Sequence, residues 1–285
     1  MKVSPRFSAF DDMSTSSQFA DARQMAADQY FQSNSSFWKE AYEHRNLQSA
    51  IYQTRRATAL QFFERLSLPP SAQILDIGCG AGILSVDLAS RGYRVHAVDS
   101  TPAMLELTLR RAAEARVADR LTIGSGDIHA LKFEDQSLDA VFALGVLPWV
   151  PTLSKPLAEV ARVLKPGAHC IVTVDNRGRL SHRLDPLLPA RRVIGSLLRS
   201  MKLRDAVLSR THTLDELDSS LSTGGFEKVD GKTLGFGPFT LAGFRVLPDG
   251  IGLRLDGALR KKADRSGRLS RAGAQYVVLA RKVNT

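Results

Sequence analysis

A doubly wound α/β fold with a mostly parallel sheet is predicted for this 285-residue chain by three observations. Ile74, Leu75, Asp76 and Ile77 suit a buried strand and run without a break into three glycines at alternate positions, Gly78, Gly80 and Gly82, and then into the apolar-periodic stretch ILSVDLASRG. A second strand-like stretch, YRVHAVD, ends in Asp99, 21 residues past Gly78. From there to AHCIVTVD, helix-period and strand-like stretches alternate, as βα units of a parallel sheet do.

The composition agrees with one α/β domain plus additions. Hydrophobic residues make up 44% of the chain, enough to build a full core. The longest apolar run, Ala140 to Val150, contains Pro148 and is far shorter than the ~20 residues of a membrane span. No apolar h-region occurs in the first thirty residues, and Cys79 and Cys170 are too few for a disulfide framework or a thiolate metal cluster. A cytoplasmic protein is therefore expected, with no metal site. The net charge of +10 is uneven: Arg177 to Arg210 carries nine basic residues against two acidic, and Arg254 to Arg271 seven against two. Any anionic partner is expected along those two stretches.

In chain order, residues 1–35 show isolated apolar positions without a sustained period, which predicts a flexible or substrate-ordered N-terminal arm. Residues 36–70 turn helical, with Phe37, Tyr42, Leu47, Ile51, Leu60, Phe62, Phe63 and Leu66 at three- and four-residue steps until Leu68-Pro69-Pro70 stops them. In the loop that follows, glycine is needed because a Cβ would oppose positive φ and keep a ligand off the backbone. A dinucleotide fingerprint requires a further glycine where this chain has Ile83 or Ser85, so a pyrophosphate ligand is disfavoured. Asp99 has the spacing of a carboxylate that accepts hydrogen bonds from ribose hydroxyls. Ser100 or Thr101 would cap a helix over 101–116 that has Pro102 at its first position. RLTIGSGD supplies a third strand tipped by Asp127, SLDAVFALGVLPW a fourth, and AHCIVTVD a fifth after a turn at Lys165-Pro166-Gly167. The stretch 177–210 interrupts this alternation with basic residues among Leu, Ile and Val; a capped helix then precedes Gly224-Gly225, and EKVDGKTLGF and AQYVVLARK read as the last two strands.

An acidic residue at a strand end followed by Gly-x-Gly-x-Gly resembles the first motif of the class I S-adenosylmethionine (SAM) methyltransferases, and the order of elements continues the likeness over residues 71–176, 211–236 and 274–282. The resemblance implies a Rossmann-like, seven-stranded sheet whose last strand is antiparallel and slots between its neighbours. It implies a SAM-binding domain over 71–285 with inserts at 177–210 and 237–273, the first of them a helical insert on the acceptor side. It also implies that SAM lies against Asp76, Gly78, Cys79, Gly80 and Gly82, with Asp99 and Ser100 at the ribose and Asp127 and Ile128 at the edge of the adenine. Met104 would pack on that ring or serve the core, and Leu144 and Gly145 would let the backbone approach the sulfonium. The family's N-terminal helices lie over the cofactor, which makes Tyr42, His44, Tyr52 and Arg56 candidates for the pocket; His129 is a further one.

Methyl transfer from SAM requires a nucleophile held in line with the methyl group and water kept out. A general base is needed only for a nucleophile of high pKa, and His182 and His212, flanking the first insert, are the candidates. The fourth strand ends in Leu144-Gly145-Val146-Leu147-Pro148-Trp149, without the Asp/Asn-Pro-Pro-aromatic motif of enzymes that methylate base amino groups, so nucleic acid is disfavoured as a partner. The expected acceptor is a small or lipid-like molecule, with peripheral membrane contact through the basic insert as an extension. A nucleic-acid methyltransferase, a SAM-binding protein without turnover and a nucleotide-dependent oxidoreductase are the alternatives.

Overall fold

The computed structural model describes residues 25–34, 46–183, 187, 209–241 and 244–283. A short helix α1 (25–33) precedes α2 (Leu47–Glu64), and the sheet domain then runs β1 (Gln73–Ile77), α3 (Ile83–Ser90), β2 (Arg94–Asp99), α4 (Pro102–Glu114), β3 (Leu121–Ser125), β4 (Leu138–Ala143), α5 (Ser154–Val163) and β5 (Leu164–Asn176). The second half comprises α6 (Leu180–Arg183), β6 (Thr211–His212), α7 (Leu214–Thr223), β7 (Phe226–Leu234), the two-stranded pair β8 (Thr240–Leu241) and β9 (Phe244–Arg245), α8 (Asp249–Ala263) and β10 (Gln275–Lys282).

The strands lie in the order β3-β2-β1-β4-β5-β10-β7, with the two-residue β6 added alongside β5. β1 pairs in parallel with both β2 and β4, whereas β10 is antiparallel to both its neighbours, β5 and β7. This is the predicted sheet. The chain winds outward from β1 to β3 and returns to β4, so a crevice opens between the carboxyl ends of β1 and β4.

The strands read as continuous apolar runs because helices cover both faces. Successive side chains alternate between faces: Ile74, Ala140, Phe142, Val277 and Leu279 join the core under α2 and α3 with Phe62, Phe63, Leu84 and Leu88. Leu75, Val141, Val278 and Ala280 join the opposite core with Leu157, Val160, Leu214 and Leu217 from α5 and α7. The helix after β6 begins as expected, with a capping box in which Thr213 accepts from Glu216 N and Glu216 accepts from Thr213 N.

Several expectations are corrected. Residues 25–33 form a helix within the stretch expected to be a flexible arm. It is held by tertiary contacts: Tyr30 stacks on Trp149 at 5.6 Å, Phe31 meets the same ring edge-on at 5.0 Å, and Ser100 Oγ donates to Asp28 Oδ1 at 2.7 Å. Thr101 is the N-cap of α4 but makes no side-chain capping bond. The Lys165-Pro166-Gly167 turn is absorbed into β5, where Gly167 takes φ 73° and the pairing with β4 shifts register. The second insert is folded, and Arg254, Lys261, Lys262, Arg265 and Arg268 remain exposed on it. Asp256 of α8, buried, accepts from Phe236 N (2.6 Å) and Arg260 Nε (2.9 Å), and Arg271 pairs with Asp215 at 2.5 Å. Of the insert at 177–210, residues 184–186 and 188–208 lie outside the described residues, as do Tyr42 and His44. Among the described residues, no helix is long and apolar enough to cross a membrane.

Candidate functional site

The crevice at the carboxyl ends of the strands is a single cavity into which the loops after β1, β2, β3 and β4 open, with Asp175 near the end of β5 at its edge, and α1 and α2 roof it. The loop after β1 is tied down by β2: Gly78 N and Cys79 N both donate to Val98 O, at 2.8 and 3.0 Å, and Gly80 N donates to Asp99 Oδ2 at 2.9 Å. Gly78, Gly80 and Gly82 all have positive φ. They differ in what surrounds them. A Cβ on Gly78 would meet Val146 Cγ2 at 2.3 Å, and one on Gly82 would meet Thr108 of α4 at 2.7 Å, whereas a Cβ on Gly80 would meet nothing within 4 Å. Only Gly80 is therefore a glycine that keeps open space clear.

Of the residues expected at the cofactor, Asp76, Gly78, Cys79, Gly80, Asp99, Ser100, Met104, Asp127, Ile128, Leu144 and Gly145 all line the cavity. Gly82 does not; it lies behind the wall, where the close approach of α4 to α3 excludes a side chain. Asp127 Oδ1 accepts from His129 N and lies 2.8 Å from His129 Nδ1, so the histidine is turned to its own turn rather than into the cavity.

His182 and His212, the expected bases, do not line the cavity either. Arg179 Nε donates to His182 Nε2 at 2.7 Å, which occupies the lone pair that a base would use. His212 sits on β6, beyond the end of β4 and beside Asn176, facing Glu216 at 3.9 Å; burial lowers its pKa. Both histidines are held at the end of β5, where Arg177 N donates to His212 O and Leu180 N to Ala272 O, beside the cavity rather than in its lining.

Two groups of residues were missed. The first is Arg55, buried on α2, which reaches the crevice and stands so close to Gly145 that a Cβ there would lie 2.6 Å from its Nη1. Gly145 thus makes room for a guanidinium as well as for a ligand. Arg56 and Tyr52, both expected near the pocket, line it, and Arg56 pairs with Asp87 at 2.9 Å. The second group is Asp175 at the end of β5 and Gln275 at the start of β10, whose Nε2 donates to Asp175 Oδ1 at 3.0 Å. A helical residue such as Arg55 is one of many basic positions in its sequence neighbourhood, and only the docking angle of α2 selects it.

The carboxylates of the site are strained electrostatically. Asp76 is 2% exposed and is pushed up to about 7, chiefly by burial and further by Asp99, against the pull of Ser85 Oγ, which donates to it at 2.6 Å, and of Arg55. Burial raises Asp99 as well, offset by the backbone donors Thr101 N and Gly80 N. Burial also raises the Cys79 thiol well above its usual range, so this cysteine is a wall and no thiolate. A carboxyl raised on folding favours the native state below its unfolded pKa and loses that favour as pH rises through its folded one. The ligand-free protein should therefore lose stability as pH rises from about 4 to about 7 in a way that Asp76→Asn does not. Denaturant melts at pH 4.5 and pH 8 should show the variant gaining on the wild type by on the order of 2 kcal/mol; a gap independent of pH would refute it.

Comparison with known proteins follows this geometry. Residues 75–172, which run from β1 into β5, match a family model described as a methyltransferase domain. The chain is 30% identical over 162 residues to the sterol 4-C-methyltransferase of Caenorhabditis elegans, covering 57% of this chain and 47% of that one. It is 31% identical over 147 residues to the malonyl-[acyl-carrier protein] O-methyltransferase of Serratia marcescens, covering 51% and 55%. The chain thus spans about half the length of these curated relatives. Among solved structures, the magnesium protoporphyrin IX methyltransferase of Synechocystis PCC 6803 superposes with a TM-score of 0.62 at 16% identity, covering 91% of this chain and 99% of that one; at such identity the likeness concerns the fold. The glycine loop, the acidic second-strand end, the inserted antiparallel strand and the match of residues 75–172 to a methyltransferase domain together make the chain similar to the class I S-adenosylmethionine-dependent methyltransferases.

Proposed function

We propose that this protein transfers a methyl group from SAM to a small-molecule or lipid-like acceptor. The observation that carries the reading is that one cavity is lined at once by Gly80, Asp99, Met104, Asp127 and Gly145, which lie far apart in sequence and answer to the different parts of one molecule. The open space at Gly80 and the free face of its loop suit the methionine moiety. Arg55 suits its carboxylate, because a buried guanidinium wants a planar anion, and Asp76 and Asp99 give the same end of the cavity the acidic character that an ammonium requires. Asp99 takes the ribose hydroxyls, Met104 and Ile128 hold the adenine between them, and Asp127 faces its exocyclic amine. When bound, SAM supplies a methyl group already activated by its sulfonium. The protein's part is then to fix the nucleophile in line and to exclude water, for which α1, α2 and Trp149 form the roof.

The apolar, aromatic roof supports a small apolar acceptor, in keeping with the sterol and porphyrin named for the relatives. Fold alone does not decide the reaction, so ligand binding is the direct test. Isothermal calorimetry should show one-to-one binding of SAM, displaced by S-adenosylhomocysteine, and no binding of NAD. A protein that binds neither sulfur compound would defeat the proposal.

A further inference from the structure

The cavity is longer than its cofactor end. Asp76, Asp99 and Gly145 belong to β1, β2 and the β4 loop, but Asp175 and Gln275 belong to β5 and β10, the next two strands along the sheet. They face each other in register, Gln275 paired with Asp175, one strand beyond the loop that carries Gly145. One N–H of the Gln275 amide is given to Asp175 Oδ1, which orients the carboxylate and leaves its other oxygen as an acceptor, while Gln275 Oε1 is buried without a hydrogen-bond partner. A buried acceptor without a donor is rare in folded proteins, and turning the Gln275 amide about its last side-chain bond would present Oε1 to a donor in the cavity. Phe31, Tyr52 and Trp149 line the same cavity, and of the cations there Arg56 is paired with Asp87 while Arg55 stands at Gly145.

We propose that Asp175 and Gln275 form the acceptor subsite, and that they select an acceptor presenting a hydrogen-bond donor, a protonated amine or a hydroxyl, on an apolar or aromatic body. The proposal deepens the methyl-transfer reading and rests on it. The carboxylate attracts the donor, the Gln275 amide, once turned, offers Oε1 as a second acceptor, and the aromatic rings cover the apolar part; a carboxylate or phosphate at this point would meet the like charge of Asp175.

The test uses the whole protein saturated with S-adenosylhomocysteine and three probes that share a phenyl ring: 2-phenylethylamine, 2-phenylethanol and 3-phenylpropionate. Calorimetry or ligand-observed NMR should show the amine and the alcohol binding, and the carboxylate at least about tenfold weaker. Asp175→Asn should weaken the amine about tenfold, Gln275→Leu should weaken both donors, and each variant should bind S-adenosylhomocysteine as the wild type does, which also shows that it is folded. The subsite is overturned if 3-phenylpropionate binds as tightly as the amine, if no donor probe binds, or if Asp175→Asn leaves the amine unaffected. If the wild type fails to bind S-adenosylhomocysteine, the methyl-transfer reading itself is wrong and the subsite goes with it.

Discussion

Gly80→Val should abolish SAM binding while leaving the fold in place. The backbone there has φ 54°, so a β-branched side chain pays roughly 1–3 kcal/mol of strain. That is tolerable in a domain whose core clusters lie on the far sides of the sheet. No atom lies within 4 Å of the new Cβ, so no clash adds to the strain, and the two methyl groups project into the space that the methionine moiety needs. Gly78 and Gly82 offer the contrast, since a side chain at either would strike Val146 or Thr108 and disturb folding first. Far-UV circular dichroism of Gly80→Val should match the wild type, and calorimetry with SAM should give no heat of binding. Wild-type affinity in this variant would remove the loop from the cofactor site.

Arg55→Met should weaken SAM binding about 100-fold, on the order of 3 kcal/mol, because it removes the cation from a site that keeps its buried carboxylates. Arg55 is 6% exposed, and the charge that lowers Asp76 goes with it. The ligand's carboxylate would then enter without a guanidinium, beside Asp76 and Asp99. Arg55→Lys should recover part of the loss, as it restores the charge but not the planar fork. SAM titrations of both variants check this. Equal weakening by Met and Lys would mean that Arg55 acts through packing, and no weakening would place the ligand's carboxylate elsewhere.

The local signals in the sequence were strong where a short stretch must meet a steric demand. The three alternate glycines after a buried strand and Asp99 at the next strand's end were legible from the residues, and Asp127 from the family resemblance, and all but Gly82 among the cofactor candidates line the cavity. Gly82 has the same positive φ as its neighbours, but its constraint is the approach of Thr108 from α4, 26 residues on, which no local pattern records. The helix over 25–33 escaped for a similar reason, as its Tyr30 and Phe31 are anchored by Trp149 rather than by a period of their own.

Sequence alone therefore determined the alternation of strands and helices and the glycine turn after β1, because apolar runs and glycine turns are short-range requirements of backbone geometry, while the inserted antiparallel strand was legible only through the family resemblance. The end of the cavity proposed for the acceptor was decided by tertiary structure. Asp175 and Gln275 are 100 residues apart and meet only because β10 enters antiparallel beside β5. Arg55 reaches the cavity only because α2 docks over it, and His182 and His212 lie off its lining, held by backbone bonds at the end of β5. Side chains that converge through strand register and helix docking leave no spacing in the chain by which they could be found.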